Sequence, residues 1–149
     1  MTQPVRPRRS VLYMPGSNAR ALEKARTLAA DALILDLEDA VAPDAKEMAR
    51  HQVAEAAASG GYGRREVVIR CNGLDTPWGQ DDIAAAAASG ADAVLLPKVE
   101  SAAQVREAEA LMVDAGAGQD VAIWCMMETP LGILHAEEVA GSSPRLAAL

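Results

Sequence analysis

Arg70 and Glu128 are charged residues that directly follow apolar runs of the sequence. Arg70 ends the apolar run of residues 67–69, and Glu128 follows the apolar run of residues 123–127. Burying a charge is costly unless the charge is paired or binds a ligand or a metal. Arg70 therefore predicts an anionic partner or ligand, and Glu128, with no basic residue next to it, predicts a bound metal ion.

Other polar residues follow the remaining apolar runs: Asp36, Glu38, Asp39, Asn72, Lys98 and Glu100. Oxygen ligands of this kind suit a hard cation such as Mg²⁺, and the sequence has no His-rich metal motif, P-loop or Gly-x-Ser-x-Gly motif. Structural roles stay open for three of them. Asp39 could cap a helix that begins near Pro43, Glu100 could mark a helix entry, and Lys98 could be solvated.

The histidines and cysteines give little functional signal. His51 and His135 fall in helical patterns, where a surface or interface role is expected rather than catalysis. Cys71 and Cys125 lie in apolar, strand-like runs and form no Cys-x-x-Cys motif. We expect both to be reduced, buried thiols.

Five short runs rich in β-branched residues and leucine must position these charged groups. They span residues 10–14, 32–37, 66–71, 92–96 and 121–127. Runs that are apolar on both faces are typical of parallel strands covered by helices. Alanine-rich helical segments lie between them, so the pattern predicts five successive β-α units.

Two α/β folds fit this order. Eight such units need roughly 200 to 250 residues to close a (β/α)₈ TIM barrel, and the chain has 149. We expect about the first five units of such a barrel, truncated at the C-terminus, with residues 143–149 approaching a sixth strand. The inner face would then include Leu12, Ile34, Val68, Leu95 and Ile123. The alternative is a complete five-stranded doubly wound parallel sheet.

The net charge and the hydropathy of the chain restrict the kinds of partner that we expect it to bind. The net charge of −7 argues against binding to nucleic acid or to an acidic membrane surface. No apolar run approaches the roughly 20 residues of a membrane span, so we expect a soluble, cytoplasmic protein. Residues 1–9 form a predicted N-terminal tail before a domain over residues 10–149. Its cluster of Arg6, Arg8 and Arg9 is either solvated or meets an anionic ligand.

Several blocks together resemble a known family. They read RSVLYMPGSNARALEKA, DALILDLEDAVAPDAKEMAR, VVIRCNGLDTPWGQDD, ADAVLLPKVESAAQV and METPLGILHAEEVA. In this order they are similar to the citrate lyase β-subunit family of HpcH/HpaI aldolases, which includes malyl-CoA, β-methylmalyl-CoA and citramalyl-CoA lyases. The resemblance runs from Arg9 onward and implies the N-terminal portion of a Mg²⁺-dependent carbon–carbon lyase, with Mn²⁺ as an alternative metal.

The resemblance also implies roles for single residues. Arg70 matches an arginine that binds substrate carboxylate or carbonyl oxygens, and Glu128 matches a Mg²⁺ ligand. Glu38 and Asp39 match acidic residues that orient the site, while Arg20 and Lys24 lie where CoA phosphates would approach. A second metal ligand, the aspartate of a Gly-x-x-Asp-Leu block, is expected after Leu149, because Asp114 and Asp120 precede the fifth strand.

The implied partners are an acyl-CoA and a small keto-acid such as glyoxylate, in a homo-oligomer when the protein is full length. Cleavage would leave a thioester enolate, whose negative charge Mg²⁺ and Arg70 would stabilise. Two other readings stay open. One is a non-catalytic truncated barrel that acts as a binding or assembly module, and the other is a metal-dependent aldolase acting on free hydroxy-acids. The balance between C–C cleavage and thioester hydrolysis is open as well.

Overall fold

A single parallel sheet organises the chain, and the computed structural model describes residues 6–149. Its six strands are β1 Val11–Pro15, β2 Ala32–Asp36, β3 Glu66–Arg70, β4 Ala93–Leu96, β5 Ala122–Cys125 and β6 Leu146–Ala148. The first five match the five predicted runs. The sixth strand forms within the segment that the sequence marked as its approach.

The strand order separates the two predicted folds. Each strand pairs in parallel with the strand before and after it in the chain, in the order β1-β2-β3-β4-β5-β6. A doubly wound sheet reverses direction at a switch point, whereas a (β/α)₈ barrel adds its strands in sequence. The fold is therefore a six-strand segment of a barrel, and the doubly wound alternative is wrong. Among residues 6–149 the two outer strands do not pair with each other, so the sheet is open.

Helices connect the strands. They are α1 Ala19–Ala25, α2 Lys46–Ser59 after a short 3₁₀ turn at Pro43–Ala45, α3 Gly79–Ala88, α4 Ala102–Asp114, α5 Pro130–Leu134 and α6 Ala136–Ala140. Asn18 caps α1, and Ser101 with Gln104 forms a capping box at the start of α4. The helical segment after β5 is not continuous, because it divides at His135 into α5 and α6.

The sheet has two apolar faces. The helix-facing side carries the larger core, in which Leu33, Ile69 and Ile123 are fully buried. The inner face holds a smaller cluster that includes Ile34, Val68, Leu95 and Trp124. Leu12 pairs in register with Leu33 on the helix side. The placement of Leu12 and Ile123 on the inner face was therefore wrong.

The N-terminal arginines are tied to the N-terminal ends of the strands. Arg8 donates to both carboxylate oxygens of Glu66 at 2.7 and 2.8 Å, and its guanidinium lies 4.9 Å from the centre of the Trp124 ring. Arg9 pairs with Asp31 at 2.8 Å and Arg6 with Asp92 at 3.1 Å. Arg8 is therefore not a purely solvated side chain, whereas Arg9, which is 80% exposed, stays solvated while it pairs with Asp31.

Cys71 and Cys125 are buried, free thiols, as predicted. Burial raises the pKa of both thiols, that of Cys125 to about 12, so they are protonated and unreactive at neutral pH. Within residues 6–149, none of the helices has the length and apolar character that crossing a membrane requires.

Candidate functional site

Polar side chains from five strands meet at the carboxyl edge of the sheet. We call Tyr13, Asp36, Glu38, Arg70, Lys98 and Glu128 the strand-end cluster. Its members lie on β1, β2 or β3 or within three residues after the end of β2, β4 or β5. Loops at this edge build the sites of parallel α/β folds because the strands all end on the same side.

Arg70 is held in place by a bidentate pair of charge-assisted hydrogen bonds to Asp36. Its Nε and Nη2 donate to Oδ1 and Oδ2 of Asp36, each at 2.7 Å. The two residues are direct neighbours in the β2–β3 register, so the inner face of the sheet presents them side by side. Burial alone would lower the pKa of Arg70 and raise that of Asp36, but the hydrogen bonds and the opposite charges around each group together outweigh burial. The pKa of Arg70 is raised, the pKa of Asp36 is lowered, and both stay charged.

Glu38 joins Arg70 to Lys98. Arg70 Nη1 lies 3.0 Å from Glu38 Oε2, and Lys98 Nζ donates to Oε1 at 2.9 Å. The Oε2 contact is an ion pair without hydrogen-bond geometry, because Oε2 accepts no hydrogen bond from the described residues. Asp39 lies farther out, 3.8 Å from Arg70 Nη1, with its side chain 73% exposed. Asp39 does not cap a helix, since Ala42 occupies the N-cap of the turn at Pro43–Ala45.

Glu128 is placed differently from its prediction. Strand β5 ends at Cys125, three residues earlier, and the Glu128 side chain is exposed. The argument that burial forces a counter-charge on Glu128 was therefore wrong. Its Oε1 accepts a hydrogen bond from the backbone N–H of Lys98 at 2.8 Å, which brings the ends of β4 and β5 together.

Tyr13 is a member of the cluster that the sequence did not single out. Its ring centre lies 4.9 Å from the Arg70 guanidinium carbon, and its hydroxyl donates to Met126 Sδ at 3.2 Å. Burial raises the pKa of Tyr13, while the charge of Arg70 opposes that shift and those of Asp36 and Glu128 add to it. The phenol therefore stays protonated next to the charged groups of three other strands.

A second polar network, centred on Lys46, lies next to the cluster, and no local feature of the sequence predicts it. The buried ammonium of Lys46 donates to the carbonyls of Leu37 and Glu38 at 2.8 and 2.7 Å and to Asn72 Oδ1 at 2.7 Å. Burial lowers the pKa of Lys46. Asn72 in turn donates to the fully buried Asp82. This network fixes the backbone that carries Glu38.

Arg20 and Lys24 do not join the strand-end cluster. Both are exposed on α1, Arg20 in its first turn and Lys24 in its last. Because α1 leads away from the carboxyl edge, Lys24 lies about 6 Å farther along the helix axis than Arg20. Of the two, Arg20 is better placed to meet a ligand at that edge.

A cavity of about 540 Å³ opens beside the cluster, and its walls include Glu38, Lys46, Asn72, Trp78 and Lys98. Leu74, Val41 and Val99 give it an apolar share. Apolar walls with a few convergent charged groups are typical of sites for small molecules.

Comparisons with known proteins show the family to which the chain belongs. Residues 9–149 match the sequence model of the HpcH/HpaI aldolase/citrate lyase family. The chain belongs to that family. A (3S)-malyl-CoA thioesterase of Cereibacter sphaeroides is 52% identical over 98% of this chain and 49% of its own length. An L-malyl-CoA/β-methylmalyl-CoA lyase of the same species is 41% identical over 98% of this chain and 48% of its own length.

A solved structure of the family superimposes on the chain. It is the protein CitE of Mycobacterium tuberculosis in complex with magnesium, acetoacetate and coenzyme A, with a TM-score of 0.69 and 32% identity. The match covers 95% of this chain and 49% of that one. The chain thus spans about half the length of the HpcH/HpaI relatives that it matches.

The metal that the family implies can be tested against the donors present. Glu128 is an exposed carboxylate whose Oε2 accepts no hydrogen bond from residues 6–149, and a carboxylate oxygen is the donor type that Mg²⁺ prefers. In the same residues, no three His, Cys, Asp or Glu side chains come together to hold a metal ion. Glu128 could therefore supply one carboxylate ligand to Mg²⁺ from the described residues.

Proposed function

We propose that this chain supplies half of the active site of a Mg²⁺-dependent enzyme that cleaves or forms a C–C bond in a β-hydroxyacyl-CoA. The substrate class is that of malyl-CoA, β-methylmalyl-CoA and citramalyl-CoA. The observation that carries the proposal is the strand-end cluster, in which Lys98 links Glu128 to Glu38 and Glu38 pairs with the buried, pre-oriented Arg70. Family membership and the named CoA-ester relatives support the substrate class.

Arg70 is the residue that would bind the substrate's oxygens. A guanidinium has five N–H donors in a rigid plane, and Asp36 uses the Nε–H and one N–H of Nη2. Nη1 is ion-paired with Glu38, but no hydrogen bond within the described residues uses its N–H groups or the second N–H of Nη2. These are the donors that would bind a carboxylate or a carbonyl oxygen. In this arrangement Asp36 orients the fork, and Arg70 stabilises negative charge that develops on the substrate during C–C cleavage.

Glu128 would bind Mg²⁺ through its free oxygen, and the ion would polarise the oxygen atoms of the keto-acid. Glu38 and Asp39 add negative charge next to Arg70, and Lys98 partly balances it. With four carboxylates facing two cations, the described half of the site favours a cation together with an anionic substrate that chelates it. We propose Arg20, on the first turn of α1, as a contact for CoA phosphate.

Thioester hydrolysis is the second candidate activity, and the name of the relative at 52% identity favours it. The two reactions consume the same substrate and give different products. Hydrolysis of malyl-CoA releases malate and free CoA, whereas C–C cleavage releases glyoxylate and acetyl-CoA. We therefore propose to incubate the full-length protein with malyl-CoA and Mg²⁺ and to separate the CoA species by chromatography. Acetyl-CoA supports the lyase, and free CoA without glyoxylate supports the thioesterase.

Malate offered without CoA tests the remaining alternatives. Cleavage of the free acid would favour an aldolase acting on hydroxy-acids. A protein that binds CoA esters and converts none of them would favour a binding module.

Arg70→Lys tests the assignment of the central cation in either reaction. A lysine keeps the charge but offers a point contact instead of a planar fork. We expect turnover to fall by roughly 100-fold or more, measured by steady-state kinetics on the full-length protein. Arg106→Lys is the matched control, because Arg106 lies on α4 and is exposed. Near-normal turnover of Arg70→Lys would remove Arg70 from the active site.

A further inference from the structure

Lys98 is held in an unusual backbone conformation at the strand-end cluster. Its φ is +48°, and within residues 6–149 it is the one residue other than glycine with a positive φ. In this left-handed region the Cβ of an L-residue crowds the neighbouring carbonyl oxygen, so lysine is strained there. Such strain persists only where the surrounding structure imposes it, and it concentrates at functional sites.

Lys98 contacts Glu128 and Glu38, the two acidic members of the strand-end cluster that do not form the bidentate pair with Arg70. Its backbone N–H donates to Glu128 Oε1 at 2.8 Å, and its Nζ donates to Glu38 Oε1 at 2.9 Å. Directly after it, the N–H of Val99 donates to the carbonyl of Met126 at 3.2 Å. The turn that follows β4 is therefore joined to the end of β5 at two successive amides.

The two contacts of Lys98 differ in rigidity. Its side chain is 62% exposed, and an exposed ion pair on a long side chain is weak and mobile. The direction of the backbone N–H, in contrast, is set by the left-handed φ and by the neighbouring Val99 amide. The N–H is thus the contact that can fix the orientation of Glu128.

We propose that Lys98 is a positioning residue for Glu128: its left-handed backbone turns the N–H toward Oε1 and leaves Oε2 aimed at the metal. The inference rests on the proposed function, because it takes Glu128 as the Mg²⁺ ligand. It assigns the orientation of Glu128 to the backbone conformation of Lys98 and not to the Lys98 ammonium group.

Two substitutions separate the backbone from the ammonium. Lys98→Asn and Lys98→Val both remove the positive charge, but asparagine tolerates the left-handed region and a β-branched valine does not. The measurement is calorimetric titration of the full-length protein with Mg²⁺ alone. We expect the asparagine variant to bind within about twofold of the parent and the valine variant to bind roughly tenfold more weakly, as when other partners that orient a metal ligand are lost.

A third substitution and a carboxylate control complete the test. Lys98→Ala should fall between the other two, and it replaces the valine variant if that protein does not fold by circular dichroism. Equal losses for asparagine and valine would assign the effect to the ammonium and overturn the inference. Glu128→Gln distinguishes failure of the inference about Lys98 from failure of the proposed function. If this variant binds Mg²⁺ like the parent, the metal assignment of the proposed function fails as well. If it binds weakly while all Lys98 variants bind normally, only the inference about Lys98 fails.

Discussion

Lys46 shows how one buried side chain can shape a site that it does not enter. Its ammonium donates three hydrogen bonds, to two carbonyls that follow β2 and to the amide of Asn72 after β3. Two adjacent strand ends are therefore held at a fixed separation by a single residue of α2. The carbonyl of Glu38 is one of the acceptors, so the path of the chain at Glu38 depends on this ammonium.

We expect Lys46→Met to lower the free energy of unfolding by about 1–3 kcal/mol, because the substitution leaves buried oxygen acceptors without a donor. Chemical denaturation measures the change. Lys24→Met is the control, since Lys24 is exposed and its loss should change stability by less than about 0.5 kcal/mol. A Lys46→Met protein as stable as the parent would mean that the cost of burying the ammonium cancels the benefit of its hydrogen bonds.

At the level of elements, the close packing of α5 on the connection between β4 and α4 sets the distance between Lys98 and Glu128. Gly132 of α5 packs directly on the carbonyl of Val99, and a Cβ added at Gly132 would overlap that oxygen. Thr129 holds the start of the same helix by accepting a hydrogen bond from the N–H of Gly132 at 3.0 Å. Glu128 precedes this cap and Lys98 precedes Val99, so the close contact keeps these two residues together.

Gly132→Ala should therefore push α5 away and cost about 1–3 kcal/mol of stability, the usual penalty of overpacking. It should also weaken Mg²⁺ binding through Glu128, which calorimetry on the same samples would detect. Gly141→Ala is the matched control, because its φ is −90° and an added Cβ would have its nearest neighbour at 3.8 Å. Equal stability of the two variants would show that the contact at Val99 relaxes without cost.

The elements were largely predictable, whereas the face that each strand residue occupies was predicted only in part. The five apolar runs predicted the first five strands, which the structure places within them except for Pro15, the last residue of β1. Both faces of a covered parallel strand are apolar, so no alternation shows which side a residue occupies. This is why Leu12 and Ile123 were assigned to the wrong face.

The candidate site was predictable where one local feature decides it. Arg70 needs a counter-charge inside its strand, and it has one in Asp36. Glu128 escaped the same argument because an apolar run does not show where the strand ends. Lys46 was missed because it lies on a helix with ordinary surface composition, and its acceptors belong to connections 8 to 26 residues away in sequence.

At the scale of the whole molecule, the open sheet leaves two unpaired edges. Neither β1 nor β6 has a second strand neighbour among residues 6–149, and Leu12 and Tyr13 of β1 are 40% and 45% exposed. Unpaired edges with exposed apolar side chains promote association between chains. The polypeptide of residues 1–149 on its own therefore presents a surface that favours self-association.

We expect this polypeptide to form dimers or larger species at micromolar concentration, measured by size-exclusion chromatography with light scattering. Leu12→Lys should reduce the association, because a charged side chain next to an open edge opposes pairing. Val113→Lys is the control, since Val113 is 56% exposed on α4, away from the edges. A monodisperse monomer with a sharp thermal transition would show that the open sheet is self-sufficient.

The sequential strand order bears on how the polypeptide folds while it is being made. Each strand from β2 to β6 pairs with the strand that the ribosome released just before it, so after β1 no strand of residues 6–149 waits for its first partner. A new β-α unit of about 30 residues emerges every few seconds at 5–20 residues per second, whereas closing a short loop takes well under a millisecond. Each unit can therefore dock on the previous one before the next appears, and rare codons between units would lengthen the pauses in which an open edge is exposed.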